Sequence, residues 1–167
     1  IQKVLDKHDV LLIADEVITG FGRTGRWFAL EHWNVRPDLV TFAKAVTSAY
    51  IPLSGVVLSA RVHERFQTAP PDLKFMHGYT NSAHPTACAV ALRNLEIFER
   101  EGLVARAEAM GARLKARLQT LLTEPHVGEV RGLGLMCAVE IVADRESRRP
   151  FDPALGVGPR LFRAMRE

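Results

Sequence analysis

No apolar run in the 167 residues approaches the ~20 that a membrane-spanning helix needs, and no basic-then-apolar segment opens the chain as an export signal would. The chain is therefore read as soluble and cytoplasmic, with no membrane partner. Cysteine is scarce. Cys88 and Cys137 lie in helix-like and strand-like apolar context without metal-type spacing. Buried free thiols are expected there rather than a bridge or a site. A basic patch interleaved with aromatic residues is also missing, so the net charge of +3 does not point to nucleic acid. Its arginines are scattered, many between Arg93 and Arg117 in alternation with Glu96, Glu99, Glu101 and Glu108, as on a solvated helix face. Internal repeats and low-complexity tracts are absent. His77 and His84 have no third ligand at suitable spacing, so no metal is assigned. What remains is an ordinary globular composition, 47% hydrophobic. The first residue is not Met, and a helical pattern is only beginning near Gly158. An internal fragment of a longer protein is expected.

Short apolar runs at Val10 to Ala14, Leu39 to Phe42 and Gly55 to Leu58 read as strands, with a Gly-rich loop and a short helix near Phe28 to Trp33 between the first two. This pattern predicts an α/β fold with a mainly parallel sheet covered on both faces. Arg61 to Phe66 reads as helical, and the paired prolines Pro70 and Pro71 as a loop. Helices follow from Pro85 to about Glu101, with Gly102 as the stop, and from about Val104 to Leu122. Val127 to Val142, interrupted by Gly128, Gly132 and Gly134, fits a hairpin in a smaller second domain. The domain change is placed near residue 100, giving domains 1–100 and 101–167.

The chemistry is concentrated at two strand ends. Lys44 lies in Thr41-Phe42-Ala43-Lys44-Ala45-Val46-Thr47-Ser48, otherwise apolar or hydroxylated. A lysine in apolar surroundings loses the solvation that favours its ammonium form, which makes a nucleophilic amine accessible near neutral pH. Asp15 ends the run Leu11-Leu12-Ile13-Ala14. A carboxylate there points into the crevice where open α/β sheets bind ligands, and it needs a cationic partner. Lysine for an aldehyde and carboxylate for a pyridinium nitrogen are the two ends of pyridoxal phosphate.

At these residues the chain resembles the class III aminotransferases. The resemblance is carried in order by Asp15 to Gly25, Pro37 to Lys44, His77 to Pro85 and, more weakly, Val130 to Leu135. It implies the fold type I of pyridoxal-phosphate-dependent transferases, with the end of the large domain followed by an incomplete small α+β domain. It also implies a Schiff base on Lys44, Asp15 on the pyridinium nitrogen and Val17 against one ring face. Thr80 and the backbone at Tyr79 would contact the cofactor phosphate of a neighbouring subunit, so an obligate homodimer with shared active sites is expected. The reaction implied is transamination between an amine or ω-amino acid donor and a keto acid. The family usually has Gly after the lysine, where this chain has Ala45.

Other readings are weighed at the same residues. Aminomutase, racemase or decarboxylase chemistry would use the same lysine and aspartate. Gly20-Phe21-Gly22-Arg23-Thr24-Gly25 matches the dinucleotide fingerprint of an oxidoreductase, but Asp15 to Thr19 intervene between strand and glycines. A non-catalytic remnant is a further alternative. Asp15 could be a turn cap alone, Lys44 a snorkelling strand-end lysine, and Glu16 half of a structural ion pair.

Overall fold

The structure, a computed structural model, describes residues 1–166, and the chain divides into two compact units, Ile1–Ala109 and Met110–Glu167. The first unit opens with α1 (Gln2–Lys7) and holds a three-stranded sheet of β1 (Ile13–Asp15), β2 (Leu39–Phe42) and β3 (Gly55–Leu58), in that spatial order. It continues with α2 (Ala60–Thr68), α3 (Pro85–Arg100) and the beginning of α4 (Leu103–Gln119). Gly102 takes φ +59° between the two long helices, the left-handed stop expected of glycine.

β1 starts later than the apolar run suggests. The Leu12 N–H donates to Asp38 Oδ2 at 2.9 Å rather than to a neighbouring strand, and the Val10 N–H turns back to the Leu5 carbonyl. The ladder proper begins at Ile13. β1 pairs with β2 in parallel and β2 with β3 antiparallel. Residues 16–38 form the long crossover that a parallel pair needs, whereas residues 43–54 return the chain without crossing the sheet. Gly55 leaves room for the ring of its partner Phe42, which would have to shift if a Cβ stood 2.5 Å from it.

The described residues do not themselves complete helical cover on both faces of the sheet. Successive strand residues point to opposite faces, yet Val56 and Val57 are each 52% exposed. The apolar interior of this unit lies instead beside the sheet, where Phe21, Val46 and Ala91 are buried and Trp27, Phe28, Phe42, Leu53, Leu95 and Phe98 pack around them. Phe21 meets Phe28 and Phe42 edge-on at centroid distances of 5.4 and 5.8 Å.

The second unit contains the end of α4, the hairpin of β4 (Val127–Leu133) and β5 (Met136–Ile141), and α5 (Val157–Ala164). Gly134, at φ +54°, makes the two-residue turn with Leu135. Arg131 is exposed and pairs with Glu129 at 3.3 Å. In the loop after β5, Asp144 accepts from the backbone and hydroxyl of Ser147, which holds its carboxyl below the usual aspartate range. Cys88 on α3 and Cys137 on β5 are both free, and both are half-buried rather than buried. No helix among the described residues is long and apolar enough to cross a membrane.

One contact decides how closely α4 approaches the hairpin turn. A Cβ on Gly111 would lie 2.2 Å from the Gly134 carbonyl carbon. Alanine is favoured over glycine inside a helix by ~1 kcal/mol, but overpacking against backbone costs about 3 kcal/mol. Gly111→Ala should therefore lower stability by about 2 kcal/mol in chemical denaturation. An unchanged or raised midpoint would contradict this packing.

Candidate active site

Parallel pairing brings the two strand ends together. Ile13, Ala14 and Asp15 stand opposite Leu39, Val40 and Thr41, and the Glu16 N–H extends the ladder to the Thr41 carbonyl at 3.0 Å. Asp15 is thus the last residue of β1, and Lys44 lies three residues beyond its partner on β2. Both sit at the carboxyl edge of the sheet, the edge at which open α/β sheets present ligand-binding residues.

Asp15 is exposed, and its Oδ1 accepts from the Val17 N–H at 3.0 Å. This is the turn cap common for aspartate after a strand. It fixes the carboxylate while leaving Oδ2 without a bonded donor among the described residues. Val17 is half-buried beside it.

Glu16 takes neither a site role nor an ion pair. It is 2% exposed, and its carboxylate accepts from the N–H groups of Ala29 at 3.0 Å and Leu30 at 2.9 Å, together with the Thr19 hydroxyl. Ala29 and Leu30 open a 3₁₀ turn, Ala29–Trp33. The first N–H groups of such a turn have no partner inside it, so they satisfy the Glu16 carboxylate where a cation was expected. Glu16 therefore ties the end of β1 to the aromatic loop.

The glycine segment between them does not form a dinucleotide cradle. Phe21 N–H donates to the Trp27 carbonyl and Gly22 N–H to the Arg26 carbonyl, closing a loop with Gly22 and Gly25 at φ +86° and +87°. No helix starts there, and these donors are already occupied. The oxidoreductase alternative loses its structural basis.

Lys44 itself has φ +49°, and Ser48 and Ala49 follow at +48° and +62°. Left-handed backbone at a residue with a side chain costs of order 1–3 kcal/mol, and such strain clusters at functional sites. Ala45, where the family usually has Gly, stays out of that region, so its methyl is accommodated. Lys44 opens onto a hollow of about 630 Å³ lined also by Thr47, Ile51, Pro52, Tyr79 and Asn81. The desolvated setting expected from its apolar sequence neighbours is not what these residues build. Lys44 is exposed, because Val46 and Thr47 turn inward while the lysine faces out.

Tyr79 lines that hollow, and its N–H donates to Ser82 Oγ at 2.9 Å. Thr80 is exposed in the turn before α3. Asp15, Val17 and Thr80 are not among the residues lining the hollow. Among the described residues no cluster of three metal-ligating side chains occurs. One residue that sequence reasoning missed contacts the lysine loop: Asn94 on α3 donates from Nδ2 to the carbonyls of Ala45 and Val46. A lone amide on a helix face otherwise made of Ala91, Leu95 and Phe98 was the signal that could have revealed it.

Residues 1–164 match the family model described as aminotransferase class-III. The chain belongs to the class III aminotransferases. It is 50% identical over its whole length to a diaminobutyrate–2-oxoglutarate transaminase of Halomonas elongata, of which it covers 36%. It is 41% identical to gamma aminobutyrate transaminase 2 of Solanum lycopersicum, with 95% of this chain and 35% of that protein covered. Among solved structures, an (S)-enantioselective omega-transaminase from Thermomicrobium roseum matches 99% of the chain and 36% of its own, at TM-score 0.93 and 52% identity. The class III chain thus spans about a third of the length of these relatives. Its fold is that of the fold type I pyridoxal-phosphate-dependent transaminases.

In this class III chain, Glu16 is expected to support the site through stability rather than chemistry. Glu16→Ala would leave the part-buried N–H groups of Ala29 and Leu30 without their charged acceptor, a loss of about 2 kcal/mol. Urea denaturation measures it, and a loss under about 0.5 kcal/mol, the size of an ordinary surface substitution, would refute the assignment.

Proposed function

We propose that this chain forms part of an aminotransferase that moves an amino group from an amine or ω-amino acid donor to a keto acid, with pyridoxal phosphate as cofactor. The observation that carries the reading is the common carboxyl edge of β1 and β2, where Asp15 and Lys44 stand in a chain of the class III family. The donor set suits the cofactor. Lys44 offers a primary amine at an open hollow, and Asp15 offers a carboxylate oriented by the Val17 N–H. Relatives named for diaminobutyrate and gamma aminobutyrate support an ω-amino donor class.

When bound, pyridoxal phosphate supplies a protonated pyridine ring that withdraws electrons from the substrate carbon. The Asp15 carboxylate would keep the proton on the ring nitrogen by charge and hydrogen bonding. Val17 would pack against one face of the ring. Lys44 Nζ would hold the cofactor by its aldehyde carbon, and its amine is the group that would accept and return the proton moved in the reaction. Thr80 meets the phosphate of the neighbouring subunit's cofactor, within a homodimer that shares its active sites. The Tyr79 backbone joins that contact only by exchanging its bond to Ser82 Oγ. Residues 1–100 belong to the large domain, residues 101–167 begin the small one, and the enzyme works in the cytoplasm.

In the complete protein, Lys44→Ala should abolish nearly all turnover of an ω-amino donor with pyruvate or 2-oxoglutarate. Normal turnover would refute the assignment of Lys44. Asp15→Ala should still bind the cofactor but react about a hundredfold more slowly, and an undiminished rate would remove Asp15 from the mechanism.

A further inference from the structure

We infer that Asn94 is the positioning residue that holds the Lys44 loop in its reactive geometry, a role that rests on Lys44 being the cofactor lysine. Residues 44–50 contain three left-handed residues with side chains, Lys44, Ser48 and Ala49. Backbone of that kind persists only where its surroundings over-determine it. Asn94 supplies that determination from α3. Its Nδ2 donates to the carbonyl oxygens of Ala45 at 2.9 Å and Val46 at 3.0 Å, and its Oδ1 accepts from Ser48 Oγ at 3.0 Å. Two carbonyls can only accept, so they fix which end of the amide faces the loop.

The contacts span the loop from the residue after Lys44 to the left-handed Ser48. Behind them, Ala91, Leu95 and Phe98 lie on the same face of α3 by helical spacing and pack with Val46 and Ala45 in the core. Val46 is 3% exposed, and Thr47, 1% exposed, closes the far end by donating from Oγ1 to the Ile51 carbonyl at 2.7 Å. The loop is thus sealed to α3 by apolar contact, and Asn94 sets its register there through three directional bonds. Lys44 is joined directly to Ala45, so a shift of the Ala45 carbonyl moves the base of the lysine side chain.

The test uses the complete protein with Asn94→Asp, which keeps the shape but sets carboxylate oxygen against two carbonyl oxygens, and with Asn94→Ala. Val142→Ala, which removes buried methyls outside the loop, serves as a destabilised control. Without cofactor, amide hydrogen exchange is followed at Ser48, Ala49 and Tyr50, whose N–H groups bond within the loop. With pyridoxal phosphate added, the rate of its attachment to Lys44 is measured by borohydride trapping and peptide mass. Both Asn94 variants should exchange faster at these amides and attach cofactor about tenfold more slowly or worse. Val142→Ala should attach at the unsubstituted rate despite a lower melting temperature. Faster exchange with unchanged attachment in both Asn94 variants would make Asn94 merely structural and overturn the inference, as would no change in either readout. No attachment to Lys44 in the unsubstituted protein would instead overturn the proposed function itself, and with it this role.

Discussion

Three residues of parallel pairing, Ile13 to Asp15 against Leu39 to Thr41, bring Asp15 and the strand that leads to Lys44 side by side. Side chains alternate faces along a strand, so a slip of one residue would turn Asp15 to the opposite face and out of line with Lys44. The pairing is short, and hydrogen bonds beyond the strands pin it at both ends. Asp38 holds the Leu12 N–H at the entry, and the Glu16 N–H holds the Thr41 carbonyl at the exit. The Glu16 side chain then carries the constraint onward to Ala29 and Leu30. A buried carboxylate satisfied by backbone donors orders the segment directly after the candidate aspartate. Asp15 can remain exposed because its neighbour provides the anchoring.

The lysine side of the site follows a different principle. Lys44 stands at the start of a loop with strained backbone, and the strain is held by contacts on the far side of that loop. Val46 and Thr47 turn into the core while Lys44 turns out toward the hollow that Tyr79 also lines. Division of labour between adjacent residues recurs at both strand ends: Asp15 beside Glu16, and Lys44 beside Val46 and Thr47. In each case the outward residue has the chemistry proposed for the reaction, and the inward residue has the burial that holds it there.

Much of this was legible in the sequence, for physical reasons that differ by element. β2 and β3 appear at the residues their apolar runs indicate, each preceded by a proline-containing loop, Pro37-Asp38 and Pro52-Leu53-Ser54. The stop of α3 at Gly102 and the β4–β5 hairpin were equally marked by glycine. Hydrogen-bond partners distant in sequence were not legible. The start of β1 depends on the Asp38 carboxylate, and the hydrogen bonding of Glu16 depends on a turn beginning 13 residues later. Apolar neighbours in sequence suggested a desolvated Lys44, but periodicity along a tight turn sent those neighbours inward and left the lysine exposed. Asn94 went unseen because its partners are carbonyl groups, which leave no trace in a sequence.

The central claim is that Lys44 carries the cofactor. Borohydride reduction of the complete protein in the presence of pyridoxal phosphate, followed by peptide mass mapping, tests it most directly. The account predicts a single pyridoxyl adduct on Lys44. An adduct confined to another lysine, or none in protein shown to be folded, would contradict it.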